Sequence, residues 1–155
     1  MAGKYVQCYI HLVFAVKYRE ALLTKDIRPR VFEYISGIIR GMNHKSLNVN
    51  GVEDHIHILI GFSTTVTISD TVHEIKRNSS LFINENNLCR KKFAWQEGYG
   101  CFSYGHSQLS RIYNYIENQE NHHQKRKFKS EYLGLLEKFD VPLDERYIFD
   151  FIEDL

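Results

Sequence analysis

The sequence has few of the features that mark disordered, secreted or metal-finger proteins. Only two of its 155 residues are proline and nine are glycine, while 43% are hydrophobic, which excludes an intrinsically disordered chain. Its three cysteines, Cys8, Cys89 and Cys101, are widely spaced and form no Cys-x-x-Cys pair, so neither a disulfide framework nor a zinc finger is expected. We expect a single folded domain over residues 1–155 in a reducing cytoplasm.

Long hydrophobic runs are also missing. The longest apolar stretch, residues 6–16, is interrupted by Gln7 and His11 and is too short to cross a bilayer. It ends at the polar residues 17–19 and has no small-residue cleavage site. We therefore expect neither a membrane segment nor a signal peptide.

Charge is nearly balanced overall but unevenly distributed. The net charge is +1, yet residues 139–155 hold six acidic groups and one arginine, a net charge of −5 that leaves +6 on the rest. This split indicates an acidic tail from about residue 139 on a mildly basic body that could bind a polyanion. A solvated tail without a function explains the charge equally well.

Hydrophobic periodicity predicts four strands and four helices. Apolar residues alternate in the strands and recur at helical spacing in the helices. The predicted strands are 6–16, 46–53, 54–62 and 93–104, and the predicted helices are 24–42, 69–84, 107–127 and 130–138. The first six elements follow the order β-α-β-β-α-β, which predicts a ferredoxin-like α+β fold: an antiparallel sheet with two helices on one face.

Two histidines lie two residues apart in the third predicted strand. His55 and His57 therefore project from one face, with Cα atoms roughly 6.5 to 7 Å apart, while Ile56, Ile58 and Ile60 point to the core on the other. Two imidazoles facing outward in this way could converge on a metal ion. By spacing alone, such a pair is more often structural than metal-binding, and a site would need a further ligand.

The helix predicted from residue 107 carries a second polar pair. Tyr115 and Gln119 are one turn apart at the border of an apolar stripe, so a phenol and an amide oxygen face the same region. The stripe itself contains Ile112, Ile116 and Tyr113, so we expect Tyr113 in the core. By spacing alone, Tyr115 and Gln119 would be an ordinary boundary pair.

Together these patterns resemble a known family. Residues 55–57, HIH, resemble the His-hydrophobe-His signature of HUH endonucleases, and residues 115–119, YIENQ, resemble their single-tyrosine helix. The similar branch is the insertion-sequence-200/605 group of transposases with their REP-associated relatives. Supporting stretches, in the same order, are HLVF at 11–14, KYR at 17–19, IKRNSS at 75–80, WQEGYG at 95–100 and ENHH at 120–123. The resemblance spans residues 5 to about 147; Val16 replaces a frequent Thr, and residues 149–155 carry no family motif.

The resemblance implies an enzyme, a metal-dependent single-strand DNA endonuclease and strand transferase. It would cleave and rejoin single-stranded DNA through a 5′-phosphotyrosine intermediate and so move an insertion sequence. Carried over residue by residue, Tyr115 would be the nucleophile, and His55, His57 and Gln119 would be the metal ligands. The family implies Mg²⁺ or Mn²⁺, although nitrogen ligands by themselves favour the later transition metals over Mg²⁺.

The partners implied are single-stranded DNA with hairpin-bearing element ends and a second copy of the chain. In that homodimer the tyrosine helix would complete the partner's site in trans, in a bacterial or archaeal cytoplasm near the nucleoid. The candidate DNA-binding residues are basic: Lys17, Arg19, Lys76, Arg77 and Arg111, with residues 125–127 as a further group. For each of them a solvated surface position is an equal alternative.

Two other functions stay open. An aromatic-rich ferredoxin-like sheet is also how RRM domains bind single-stranded RNA, but no strand here carries the Lys/Arg-Gly-Phe-Gly-Phe stretch of that class. The chain could alternatively be a domesticated relative that binds hairpins without transposition. The presence of Tyr115 and both histidines argues against lost chemistry.

Overall fold

A computed structural model describes residues 4–121 and 127–142 and contains the predicted α+β arrangement. The strands are β1 (Tyr9–Ala15), β2 (Lys45–Gly51), β3 (His55–Gly61) and β4 (Gly100–Tyr104). The helices are α1 (Arg28–Gly41), α2 (Ile68–Glu85), α3 (Leu109–Glu117) and α4 (Phe128–Lys138). The order β1-α1-β2-β3-α2-β4 confirms the predicted split β-α-β-β-α-β topology, and two helices follow it.

The four strands form one antiparallel sheet in the order β2-β3-β1-β4. The β1–β3 register pairs Val13 with His57 and Ala15 with His55. Both histidines therefore lie on a central strand, close to one end of the sheet, where elements from either side can reach them.

One face of the sheet packs against α1 and α2. Ile56, Ile58 and Ile60 point to this side and are completely buried, as predicted. Thr67 caps α2 by accepting a hydrogen bond from the backbone N–H of Asp70, and Pro at the first turn of α1 suits a helix start. Each fully buried aliphatic side chain contributes about 1.5–3 kcal/mol, so this layer anchors the strand that carries the histidines.

The opposite face is covered by α3 and α4, and this changes the setting of the histidines. They do point away from the α1–α2 layer, but the expectation that they face outward is wrong: His55 is 1% exposed and His57 is fully buried. The cause is a second apolar layer above them, formed by buried side chains of α3 and α4: Ile112, Ile116, Phe128, Tyr132 and Leu135.

Two strands are shorter than predicted. β1 begins only at Tyr9 because its partner in β3, Gly61, is the last residue of that strand. The predicted aromatic strand is reduced to β4 and an isolated bridge between Val16 and Trp95. The two parts are separated because Gly98, between Trp95 and β4, has a φ of 91°. Gly98 thus produces the irregularity that the sequence indicated.

The predicted helix 107–127 is interrupted at Asn118. The side-chain amide of Asn50 donates to the carbonyls of Ile116 (2.8 Å) and Glu117 (3.2 Å), and α3 ends there. Residues 119–121 are again helical. Most of the predicted acidic tail and residues 125–126 lie outside the described residues. In the described ranges, no helix combines the length and apolarity needed to cross a bilayer.

Candidate metal and nucleophile site

Glu131 of α4 lies directly over the histidine pair. Its Oε1 is 2.9 Å from Nε2 of His57 and 3.4 Å from Nε2 of His55. One potential ligand atom from each of the three residues lies within 4.8 Å of the others, and all three residues are buried. Two imidazoles and a carboxylate are ligands that Mn²⁺ and related divalent ions accept. The sheet and α4 together therefore form a candidate metal centre.

The sequence interpretation missed Glu131. No metal or nuclease motif surrounds it, and it lies in a helix for which no function was predicted. The available signal was its position: Glu131 shares the apolar stripe of α4 with Phe128, Tyr132 and Leu135, all of which are buried. A carboxylate within an apolar stripe must be paired in the folded protein, so this position predicts a buried, paired Glu131.

His55 and Glu131 stabilise each other's charged forms. Burial by itself lowers the pKa of His55, but hydrogen bonds to Asp54 and Glu131 outweigh it and raise that pKa to about 9. Burial alone would raise the pKa of Glu131, yet its hydrogen bonds to His55 and His57 hold it well below the usual range. In the metal-free protein the carboxylate of Glu131 therefore pairs with a protonated His55, and a metal ion bound at Nε2 of His55 would replace that proton.

Asp54 and Arg19 hold His55 from the other side. Asp54 accepts a hydrogen bond from Nδ1 of His55 at 2.8 Å and another from Nε of Arg19 at 3.2 Å. Tyr18 and Arg19 adopt left-handed backbone conformations, with φ of 59° and 53°, which are costly for residues other than glycine. Arg19, predicted as a DNA contact, has a side chain only 13% exposed and orients Asp54 here.

Tyr115 reaches the same site from α3. Its ring lies edge-on to the ring of His57, with 5.8 Å between centroids. The prediction that Tyr113 is core is wrong: Tyr113 is 40% exposed. Helix α3 lies over β2 and β3, and Asn48 and Asn50 of the edge strand β2 hold its carbonyls. Tyr115 consequently faces β3, whereas Tyr113 lies on the uncovered flank.

Gln119 lies just beyond the break in α3. It is completely buried, and within residues 4–121 and 127–142 neither its amide nitrogen nor its amide oxygen has a hydrogen-bond partner. An unsatisfied buried amide costs about 1–3 kcal/mol. Asn50 donates a hydrogen bond to the carbonyl of Ile116 at the end of α3 and is also the register partner of His57 in the sheet. The backbone that leads from α3 to Gln119 therefore lies beside the histidine pair. The buried amide oxygen of Gln119 is therefore suited to bind a metal ion at this end of the sheet.

A cleft of about 260 Å³ between α3 and α4 opens beside these residues. Tyr115, Glu131, Arg111 and Lys138 line it. Arg111 was predicted as a DNA contact, whereas Lys138 was not. Two cations at the mouth of a cleft that contains a phenol favour an anionic ligand.

The other predicted basic residues lie elsewhere. Lys17 and Arg77 are exposed outside the cleft. Lys76 donates to the carbonyls of Gln96 and Gly98, both at 2.7 Å, and burial lowers its pKa to about 8. Lys76 therefore supports the loop before β4, a role that its sequence position did not indicate.

Comparison with known proteins agrees with this geometry. The profile of the family described as IS200-like transposases matches residues 4–119. The transposase of IS200 from Salmonella typhimurium is 27% identical over 117 residues, which cover 72% of this chain and 76% of that protein. The ISDra2 transposase TnpA from Deinococcus radiodurans is 23% identical over 124 residues, covering 77% and 89%.

Two solved structures share the fold. A protein of Deinococcus radiodurans R1 assigned as a transposase superposes with a TM-score of 0.62 at 21% identity, covering 77% of this chain and 95% of its own. A REP-associated tyrosine transposase bound to a REP hairpin gives 0.60 at 13% identity, covering 100% and 98%. Because the family profile spans well over half of the sequence, this chain belongs to the IS200-like transposases and is a DNA-processing enzyme, as the histidine and tyrosine motifs predicted.

Proposed function

We propose that this transposase cleaves and rejoins single-stranded DNA with Tyr115 as its nucleophile, and in this way moves an insertion sequence. The observation that carries the proposal is the position of Tyr115: its ring meets His57 at 5.8 Å in a cleft that also contains Glu131 and two cations. A nucleophile, a candidate metal centre and a positive field are the parts that phosphodiester transfer requires.

In the proposed reaction the phenolic oxygen of Tyr115 attacks the scissile phosphorus. A bond forms between that oxygen and phosphorus, the bond from phosphorus to the 3′ oxygen breaks, and the leaving oxygen takes up a proton to give a 3′ hydroxyl. The phenolic proton passes to solvent or a nearby base. A free phenol has a pKa of about 10, so the cations Arg111 and Lys138 would favour the phenoxide. Attack by a 3′ hydroxyl on the phosphotyrosine reverses the step and rejoins DNA.

We further propose that His55 and His57 hold a divalent metal ion, Mg²⁺ or Mn²⁺, with Gln119 and Glu131 as oxygen ligands. The close approach of Glu131 to both histidines and the orphaned amide of Gln119 support this set. Two nitrogen ligands favour Mn²⁺ over Mg²⁺. When bound, such an ion supplies Lewis-acid polarisation of the scissile phosphate.

Hairpin-bearing single-stranded DNA is the proposed substrate. The REP-associated relative is bound to a REP hairpin, and Arg111, Lys17 and Arg77 are the exposed cations among the predicted contacts. A homodimer with the tyrosine helix acting in trans stays a prediction, as does a cytoplasmic location near the nucleoid. The contact between Tyr115 and His57 within one chain supports assembly of the site in cis.

The RRM-like alternative gains no support from the sheet. An RRM stacks bases on exposed aromatic side chains of its sheet. Here Phe102 and Tyr104 of β4 are 3% and 9% exposed, and both rings contact Phe139, which follows α4. The second alternative is a domesticated relative that binds hairpins without transposition, and an activity assay distinguishes it from an active transposase.

The test is covalent capture of DNA. Wild-type protein, Tyr115→Phe and Tyr113→Phe are incubated with hairpin-bearing single-stranded DNA and Mn²⁺, then run on a denaturing gel. The DNA labelled at its 3′ end should migrate with wild type and Tyr113→Phe, whereas a 5′-end label should be released. Tyr115→Phe should give no adduct. An adduct in Tyr115→Phe would exclude this nucleophile, and hairpin binding without any adduct would favour the domesticated binder.

A further inference from the structure

A third histidine, His11, lies on the strand next to the proposed metal centre. His11 is in the middle of β1, is completely buried, and lies on the same sheet face as Val13, the register partner of His57. Its Nε2 is 2.8 Å from Nδ1 of His57. In the described ranges, Nδ1 of His11 has no hydrogen-bond partner. The side chain of His11 is therefore directed at His57.

This contact matters for the position of the proton on His57. A neutral imidazole has one N–H, so His57 can offer the Nε2 lone pair to a metal ion only when its proton is on Nδ1. That proton then needs an acceptor at Nδ1. His11 with its own proton on Nδ1 provides one, because its Nε2 is then unprotonated and within hydrogen-bond distance.

The hydrogen bond reverses when no metal ion is bound. Nε2 of His57 then donates to Glu131 at 2.9 Å, which leaves Nδ1 of His57 as an acceptor. His11 serves this state too, by carrying its proton on Nε2 and donating to Nδ1 of His57. An imidazole at position 11 can act as donor or acceptor, whereas a backbone carbonyl or a carboxylate could only accept.

We propose that His11 is a positioning residue: when a metal ion takes the Nε2 lone pair of His57, His11 accepts the hydrogen bond from Nδ1 of His57 and so raises the metal affinity of the site. His11 acts through His57 and makes no contact with the metal ion itself. This role rests on the proposed function, because it requires His57 to be a metal ligand. Removal of such supporting partners typically weakens metal binding about 10–100-fold.

The test compares two substitutions with different hydrogen-bonding capacity. His11→Leu keeps the volume but cannot accept a hydrogen bond, whereas His11→Gln keeps an acceptor oxygen and a donor. Mn²⁺ affinity of the metal-free proteins is measured by calorimetry and by the electron paramagnetic resonance of free Mn²⁺. We expect binding about 10–100-fold weaker in His11→Leu and within about threefold of wild type in His11→Gln. His44→Leu, another buried histidine substitution away from the site, should lower stability and leave the Mn²⁺ affinity unchanged.

A second measurement separates positioning from packing and does not depend on the variants folding. Nitrogen-15 chemical shifts of wild-type protein loaded with diamagnetic Zn²⁺ report the tautomer of His57, which should carry its proton on Nδ1 and share it with His11. A proton on Nε2 of His57 in that state, or His11→Leu with wild-type Mn²⁺ affinity, would overturn the role of His11. Wild-type protein that binds no divalent ion would instead overturn the proposed metal site together with this role.

Discussion

The ring of Tyr115 meets the ring of His57 edge-on within a single chain, with 5.8 Å between their centroids. Hydrogen bonds from Asn48 and Asn50 of β2 to the carbonyls of Tyr113 and Ile116 fix α3 in this place. The candidate nucleophile thus reaches the histidine pair without a second protomer. This geometry favours assembly in cis and leads to a direct test.

Mixing two inactive variants should not restore activity. Tyr115→Phe lacks the proposed nucleophile and His57→Ala lacks a proposed metal ligand, so a cis site is incomplete in every chain of the mixture. We expect the covalent DNA adduct to stay at the level of the separate variants, measured by denaturing gel after co-refolding. Trans assembly would instead produce one intact site in each mixed dimer, about a quarter of wild-type activity after random pairing. Recovery near that level would contradict cis assembly.

Neutralising Glu131 should weaken metal binding. Glu131→Gln keeps the shape of the side chain but removes the carboxylate that contacts both histidines. We expect the Mn²⁺ affinity of the metal-free protein, measured by calorimetry, to fall at least about tenfold. Glu137→Gln on the exposed side of the same helix is the matched control and should bind as wild type. Tighter Mn²⁺ binding in Glu131→Gln would mean that the carboxylate competes with the ion as an ion-pair partner of the histidines.

Replacing Gln119 should separate stability from metal binding. Gln119→Leu removes an amide that is buried without a partner among the described residues, so the metal-free protein should gain up to about 1 kcal/mol of unfolding free energy. The same change should reduce Mn²⁺ affinity, because a proposed oxygen ligand is lost. Thermal unfolding in a chelator and calorimetry with Mn²⁺ check the two effects. A lower melting temperature in the chelator would show that the amide already stabilises the fold.

The sequence predicted the fold well because its signals are local. Alternation in β1 and β3 and helical spacing in α1 and α2 are read within short windows, and they position the isoleucines of β3 correctly. The same patterns singled out Tyr115 and the histidine pair, and the structure brings the rings of Tyr115 and His57 into contact. The predicted bounds were wrong where residues distant in sequence determine them. For example, α3 ends where Asn50 donates hydrogen bonds to its last carbonyls.

The parts that escaped prediction depend on tertiary contacts. Glu131 is 74 residues from His57 in sequence, and nothing near it indicates that α4 packs on the histidine face. Helical spacing placed Tyr113 in the apolar stripe, but it does not reveal which flank of α3 meets the sheet. Arginine side chains are usually exposed, yet Arg19 is largely buried because it forms an ion pair with Asp54. Each of these positions is decided by a partner from another element.

The stability of the fold should fall in mild acid because of His44. The backbone N–H of Ser63 donates to Nδ1 of His44, and Nε2 donates to the hydroxyl of Thr71, both at 2.9 Å, so the ring is neutral. Burial lowers the pKa of His44 below its ordinary value of 6.5. The unfolded chain therefore binds this proton more readily, and the stability that His44 contributes is present above about pH 6.5 and lost as the pH falls below it. Melting temperatures from pH 7.5 to about 5 should decrease more steeply for wild type than for His44→Gln, which cannot take up a proton. Equal slopes for the two proteins would contradict a neutral, proton-excluding site for His44.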